Sequence, residues 1–322
     1  MRAIVIHEIG GPEKLRLEDV AEPEPGPGEM VVRVEAAGLN FIDTYHRIGL
    51  YPLELPFTPG LEGAGTVLGT GDEVEGFVIG DRVGWCNALG SYAEQVLVSA
   101  DKAIPIPAEV RSDQAAAVLL QGITAHYLAA DTFPLAVGDR CLIHAGAGGV
   151  GLLLTQIARM RGAFVITTVG SQDKVELSRG AGANEVIVYT DVDFKETIED
   201  EFGPHSLDVV YDGVGAATFD DGIDLLRPRG MMVTFGNASG PVPPIPPLLL
   251  SQKGSLFLTR PTMAHYLRTR GELLSRAEDL FDWIADGALD VLIGAEYSLD
   301  RAAEAHIALE GRHTTGKVLI RP

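Results

Sequence analysis

Cysteine is nearly absent. Cys86 and Cys141 are the only two thiols in 322 residues, too few for a disulfide scaffold or a four-cysteine zinc site, and the expectation is a reduced, cytoplasmic protein. Positive charge is also short: 25 Lys and Arg stand against 45 Asp and Glu, a formal net charge of −20. Such a surface repels nucleic-acid phosphates and anionic membranes, so neither is expected as a partner. Hydrophobic residues make up 46% of the chain, yet no apolar run approaches the ~20 residues of a membrane span. The opening residues 1–8 read as a first strand rather than a signal sequence.

Glycine is the residue in excess, with 38 copies. Its most informative cluster is Cys141-Leu142-Ile143-His144-Ala145-Gly146-Ala147-Gly148-Gly149-Val150-Gly151, an apolar strand that breaks into G-x-G-x-x-G where a helix begins. In a chain this rich in glycine, roughly half a match to three fixed positions arises by chance, so the pattern alone decides nothing. Context adds the weight: an apolar helical run over 152–160, then Gly162, then the β-rich stretch 164–169. Strand, glycine turn, helix and strand make one βαβ unit, whose helix N-terminus offers unpaired N–H groups and partial positive charge to a pyrophosphate. Gly146 is expected to permit the tight turn, Gly148 to let backbone approach phosphate, and Gly151 to let helix and strand pack closely.

The second strand bears on which nucleotide. Selectivity for the unphosphorylated dinucleotide calls for an Asp or Glu about 20 residues beyond the first glycine. Val169, Gly170 and Ser171 occupy that place. Ser171 with Lys174 offers a hydroxyl and an ammonium to a 2′-phosphate, which favours NADP(H), although Lys174 by itself reads equally as the start of a solvated helix.

Around this unit the texture changes twice. Strand-like pieces at 3–7, 15–18, 30–36, 65–68, 81–85 and 91–97, with turns at 23–28 and 69–71, suggest a small barrel or sandwich. From Ser112 a capped Ala- and Leu-rich helix begins, and a second helix is expected over 124–128. Buried-strand candidates at 185–189, 207–211 and 230–235 complete a parallel doubly wound sheet. The proline-rich 241–247 must be an extended loop. A helix over 273–288 and a strand over 316–320 return the chain to its first part. The fold class is α/β, with a β-rich domain over 1–122 and 264–322 and a doubly wound parallel-sheet domain over 123–263.

Finer motifs are Gly38-Leu39-Asn40-Phe41-Ile42-Asp43-Thr44-Tyr45 with Gly49-Leu50-Tyr51-Pro52, Pro59-Gly60-Leu61-Glu62-Gly63-Ala64-Gly65, Phe235-Gly236-Asn237, and Gln252-Lys253-Gly254-Ser255-Leu256 through Thr259-Arg260-Pro261. Together with the glycine turn, this set resembles the medium-chain dehydrogenase/reductase superfamily, and within it the zinc-independent NADPH:quinone reductases, the zeta-crystallin-like proteins. The resemblance runs nearly end to end. It implies a GroES-like domain beside a Rossmann domain, NADPH as cofactor and a homodimer paired through the dinucleotide domain. It places Gly149 and Val150 under the pyrophosphate, Ser171, Lys174 and Tyr189 around the 2′-phosphate, and Phe235 with Asn237 beside the nicotinamide ribose. Thr124, Leu258 and Arg312 are further positions it sets near cofactor. Asn40, Tyr45 and Tyr51 are implied at the substrate pocket, where Asn40 is expected to donate an amide hydrogen bond to a carbonyl. The alternative is that both tyrosines pack a loop and Asn40 caps a turn.

Zinc alcohol dehydrogenases of this superfamily hold catalytic metal with Cys, His and Cys. The resemblance sets those places at Asn40, Leu61 and Gln121, none a suitable ligand, so metal-free chemistry is expected. Glu62 reads as a structural hydrogen-bond or ion-pair partner rather than a ligand. Without a metal the acceptor must take a hydride readily, or a single electron, as a quinone does and as a carbonyl-conjugated alkene does for hydride. Three functions follow: an NADPH-dependent quinone reductase, an enoyl or alkenal reductase on the same scaffold, and a non-enzymatic NADPH- or RNA-binding crystallin-like protein, of which RNA binding is disfavoured by the acidic charge. No residue stands out as an obligatory acid, which leaves solvent as the proton source.

Overall fold

The computed structural model describes all residues, Met1–Pro322. The chain runs through β1 (Arg2–Val5), β2 (Arg16–Asp19), β3 (Glu29–Leu39), α1 (Phe41–Arg47), β4 (Glu62–Thr70), β5 (Arg82–Trp85), β6 (Gln95–Ser99), β7 (Ile104–Pro105) and α2 (Ser112–Tyr127). It continues through β8 (Arg140–Ile143), α3 (Gly149–Met160), β9 (Phe164–Val169), α4 (Val175–Gly180), β10 (Glu185–Val188), α5 (Phe194–Phe202), β11 (Leu207–Asp212), α6 (Phe219–Asp224) and β12 (Leu226–Thr234). The last stretch holds α7 (Leu248–Gln252), β13 (Phe257–Thr259), α8 (Met263–Tyr266), α9 (Arg270–Ala285), β14 (Ile293–Ser298), α10 (Ala302–Glu310) and β15 (Lys317–Arg321). No helix is long and apolar enough to cross a membrane.

Contacts divide the chain into two units, Met1–Ile123 with Arg268–Pro322, and Thr124–Leu267. In the first, a mostly antiparallel sheet runs β14-β15-β3-β4-β5-β7, with β6 also paired to β3. β3 reaches three partners because it is long and irregular: register shifts at Val31/Val32 and Val34/Ala36 bend it, as bulges do. The core of this unit buries Ile4 of β1 together with Met30, Val67, Trp85 and Ile320 of the sheet. Each such side chain contributes about 1.5–3 kcal/mol on leaving water.

The second unit is a six-stranded sheet in the order β10-β9-β8-β11-β12-β13, every pairing parallel. The strand order reverses between β8 and β11, the point at which doubly wound sheets bind ligands beyond their carboxyl ends. Residues 241–247 hold no regular structure until the last of them turns into α7.

Two expectations need revising. The helix begun at Ser112 does not stop before a second one at 124–128; α2 continues to Tyr127. Gly122 does not break it, because its lack of a Cβ serves packing: a Cβ there would lie 2.8 Å from Val118 and 3.0 Å from Leu280 of α9. The other revision concerns the glycine turn. The residue in the left-handed region is Ala145, at φ 56°, not Gly146. Gly146 is required for a different reason, since a Cβ would sit 2.5 Å from Thr167 on β9 and 2.8 Å from the Ser178 hydroxyl on α4.

Candidate active site

Three strand ends of the first unit converge on a buried polar cluster. Asn40 follows β3 and stands at the N-cap of α1, Glu62 opens β4 and Lys317 opens β15. Glu62 and Lys317 form an ion pair with side-chain exposures of 0% and 1%. Burial lowers the Lys317 pKa against the pull of that carboxylate. Room for the pair depends on Gly38, where a Cβ would lie within 2.6 Å of the Ala116 carbonyl and 2.7 Å of Lys317 Cε. Glu62 Oε1 also accepts the Leu120 N–H of α2 at 2.6 Å. The structural reading of Glu62 therefore holds.

Asn40 is saturated by its neighbours. Its Nδ2 donates to the Gly38 carbonyl at 3.1 Å and to Glu62 Oε2 at 2.9 Å, and its Oδ1 accepts from Lys317 Nζ at 2.9 Å and Gln121 Nε2 at 3.1 Å. Both amide hydrogens expected to meet a substrate carbonyl are thus spent inside the protein, because a buried carboxylate and a buried backbone oxygen claim them first. Tyr45 lies on α1 and is buried; its ring meets Tyr51 edge-on at 5.3 Å and Phe41 at 6.3 Å. Tyr51 is partly open to solvent, at 37%. The two tyrosines and His46, whose ring is 6.4 Å from Tyr51, form one aromatic group.

Asp43 on α1 connects this cluster to a second chain of bonds. Its Oδ2 accepts the Asn40 N–H at 2.9 Å and the Tyr92 hydroxyl at 3.0 Å. His306 Nε2 lies 3.4 Å from that hydroxyl, Arg47 donates to His306 Nδ1 at 2.9 Å, and Arg47 pairs with Glu310 at 2.8 Å. Burial pushes Asp43 up to about 7, against the pull of the Asn40 and Tyr92 donors. Burial, and then the Arg47 charge, pull His306 down to about 3.

In the second unit the expected cofactor residues gather at the carboxyl ends of the parallel strands. Gly146, Gly148 and the α3 start follow β8, Ser171 and Lys174 follow β9, Tyr189 follows β10, and Phe235 with Asn237 follow β12. The N–H groups of Gly149, Val150 and Gly151 precede the first helical bond, from the Leu152 N–H to the Gly148 carbonyl at 2.9 Å, and have no acceptor within α3. Gly151 fits only as glycine, a Cβ falling 2.2 Å from the Ala145 carbonyl, whereas Gly148 has just one neighbour, that same oxygen at 3.2 Å. A helix N-terminus beside an unobstructed glycine suits a pyrophosphate. The Tyr189 hydroxyl covers Gly170, 2.8 Å from where a Cβ would be, which brings Tyr189 to the segment leading into Ser171. Ser171 holds the exposed Asp173 carboxylate below its usual range. Phe235 packs on Gly213, and Leu258 lies in the edge strand β13. Thr124 begins this unit and is buried in α2, whereas Arg312 belongs to the first unit, beyond α10 at φ 60°.

Sequence reasoning gave no role to Lys317, Arg260 or Asp212. Arg260 holds the Phe235-Gly236-Asn237 loop through the Gly236 carbonyl at 2.9 Å and Thr234 Oγ1 at 3.1 Å. Asp212 Oδ1 fixes the loop after β11 by accepting the Val214 and Gly215 N–H groups at 2.7 and 2.9 Å. The available signals were a lysine leading an apolar strand and an aspartate ending one. No group of three or more His, Cys, Asp and Glu side chains forms a metal-binding array.

A β-rich unit formed from both chain ends and a doubly wound unit with an anion cradle at its switch point define a two-domain nucleotide-dependent dehydrogenase. Comparison agrees: the alcohol dehydrogenase GroES-like domain family matches residues 26–108 and the zinc-binding dehydrogenase family matches 149–286. A Pseudomonas aeruginosa quinone oxidoreductase is 44% identical over 97% of both chains. A 2-haloacrylate reductase of Burkholderia sp. is 40% identical over 99% of this chain and 98% of its own. The crystal structure of Escherichia coli quinone oxidoreductase complexed with NADPH superposes with a TM-score of 0.98 at 41% identity, covering all of both chains. The chain belongs to the quinone oxidoreductases of the medium-chain dehydrogenase/reductase superfamily.

Proposed function

We propose that the chain reduces quinones with NADPH. The observation that carries this is the start of α3 after the glycine turn, with three N–H groups that have no acceptor within the helix, in a chain similar end to end to quinone oxidoreductases, one of them crystallised with NADPH. NADPH when bound supplies the hydride. Gly149 and Val150 hold its pyrophosphate by backbone N–H, Ser171, Lys174 and Tyr189 its 2′-phosphate, and Phe235 and Asn237 its nicotinamide ribose, with Thr124, Leu258 and Arg312 as further contacts. Tyr45 and Tyr51 supply ring faces to a flat acceptor and exclude water from it. Residues 123–263 are the NADP-binding domain, and 1–122 with 264–322 the substrate domain.

The similarity to a 2-haloacrylate reductase favours a second substrate class, alkenes conjugated to a carbonyl. Product analysis with NADPH and a benzoquinone or a conjugated enone separates the two: turnover of the quinone is expected, and reduction of the enone alone would establish the second reading. A homodimer joined through the second unit is supported by the open outer edge of β13, where Phe257 is 57% exposed. Buried, unpaired Cys86 and Cys141 support a cytoplasmic location.

A further inference from the structure

Gln121 is left with hydrogen-bonding capacity that the protein does not use. The orientation of Asn40 is forced, because Lys317 can only donate and the Glu62 carboxylate can only accept, so Oδ1 faces the lysine and Nδ2 the glutamate. That in turn forces Gln121, whose nitrogen must face Asn40 Oδ1. Gln121 Oε1 is then buried without a partner, and its second amide hydrogen has no acceptor in the chain. A buried polar atom left unpaired costs about 1–3 kcal/mol, so the side chain is kept in this orientation against its own stability.

We infer that Gln121 is the group that meets the substrate oxygen. This rests on the reading of the chain as a quinone or enone reductase. The free N–H donates to the acceptor carbonyl as negative charge grows on it. Reduction of a quinone takes one hydride and one proton; Gln121 exchanges neither, and its part is orientation and charge stabilisation. Asn40, with nothing left to donate, is the positioning residue behind it.

The test is Q121L, similar in size but unable to donate or accept, assayed beside wild type with NADPH and a benzoquinone. kcat/KM for the quinone is expected to fall about a hundredfold, the magnitude of losing one oxyanion donor. NADPH affinity, read by fluorescence titration, should stay within about twofold. The thermal midpoint should hold or rise, since an unsatisfied buried oxygen has been removed. Q121E, which keeps acceptors and loses the donor on ionising, should lose more activity as pH rises. An active wild type with Q121L within about threefold of it overturns the role of Gln121, as does a loss of activity matched by equal losses in melting temperature and NADPH affinity. A wild type inert towards quinone and enone alike overturns the functional reading, and this role with it.

Discussion

Lys317 and Glu62, 255 residues apart in the sequence, form an ion pair sealed from solvent between the starts of β15 and β4. Each charge leaves water only because the other is there, and the pair also holds Asn40 and the Leu120 N–H. K317M strands a carboxylate in the core and is expected to cost about 3–5 kcal/mol in urea unfolding. Adding E62M should recover part of that loss, since no lone charge remains. A single variant as stable as wild type would show that the pair is not buried in solution.

Asp43 and His306, bridged by Tyr92, pull the pH dependence of stability in opposite directions. Asp43 is raised from 3.8 to about 7, so its contribution is full at low pH and is lost as pH climbs through 7. His306 is lowered from 6.5 to about 3, so its contribution is full above 6.5 and is lost as pH falls towards 3. Across the interval they share, the slopes offset. D43N should therefore make stability rise with pH relative to wild type, and H306Q should make it fall, each by about 1.4 kcal/mol per pH unit. Urea titrations at several mildly acidic pH values check this; parallel curves for wild type and D43N would mean that Asp43 does not titrate there.

Charge at Lys174 bears on the choice of cofactor. K174E reverses the charge beside Ser171 and is expected to weaken NADPH about tenfold or more while leaving NADH nearly unchanged. Binding titrations with both nucleotides give the ratio, and an unchanged ratio would make Lys174 only a surface charge.

Much of the parallel sheet was legible in the sequence because a strand buried on both faces is an apolar run that few alternatives produce. β9 coincides with the expected stretch 164–169, and α3 follows its glycine turn. α1 was not legible as a helix: Phe-Ile-Asp-Thr-Tyr-His-Arg is seven residues of mostly weak helix formers, held by tertiary bonds such as the one from Tyr92 to Asp43. β14 was missed because Gly294 and Ala295 dilute its alternation. The site divides the same way. The glycine turn is local and readable, whereas the saturation of Asn40, and with it the unspent amide of Gln121, depends on a lysine 277 residues away.

NADPH-dependent quinone reduction is tested most directly by initial rates of nicotinamide oxidation with one benzoquinone, using NADPH and NADH in parallel. The account predicts quinone-dependent turnover with NADPH and a kcat/KM for NADH lower by about tenfold or more. No quinone-dependent oxidation of NADPH, or equal use of both nucleotides, would contradict it.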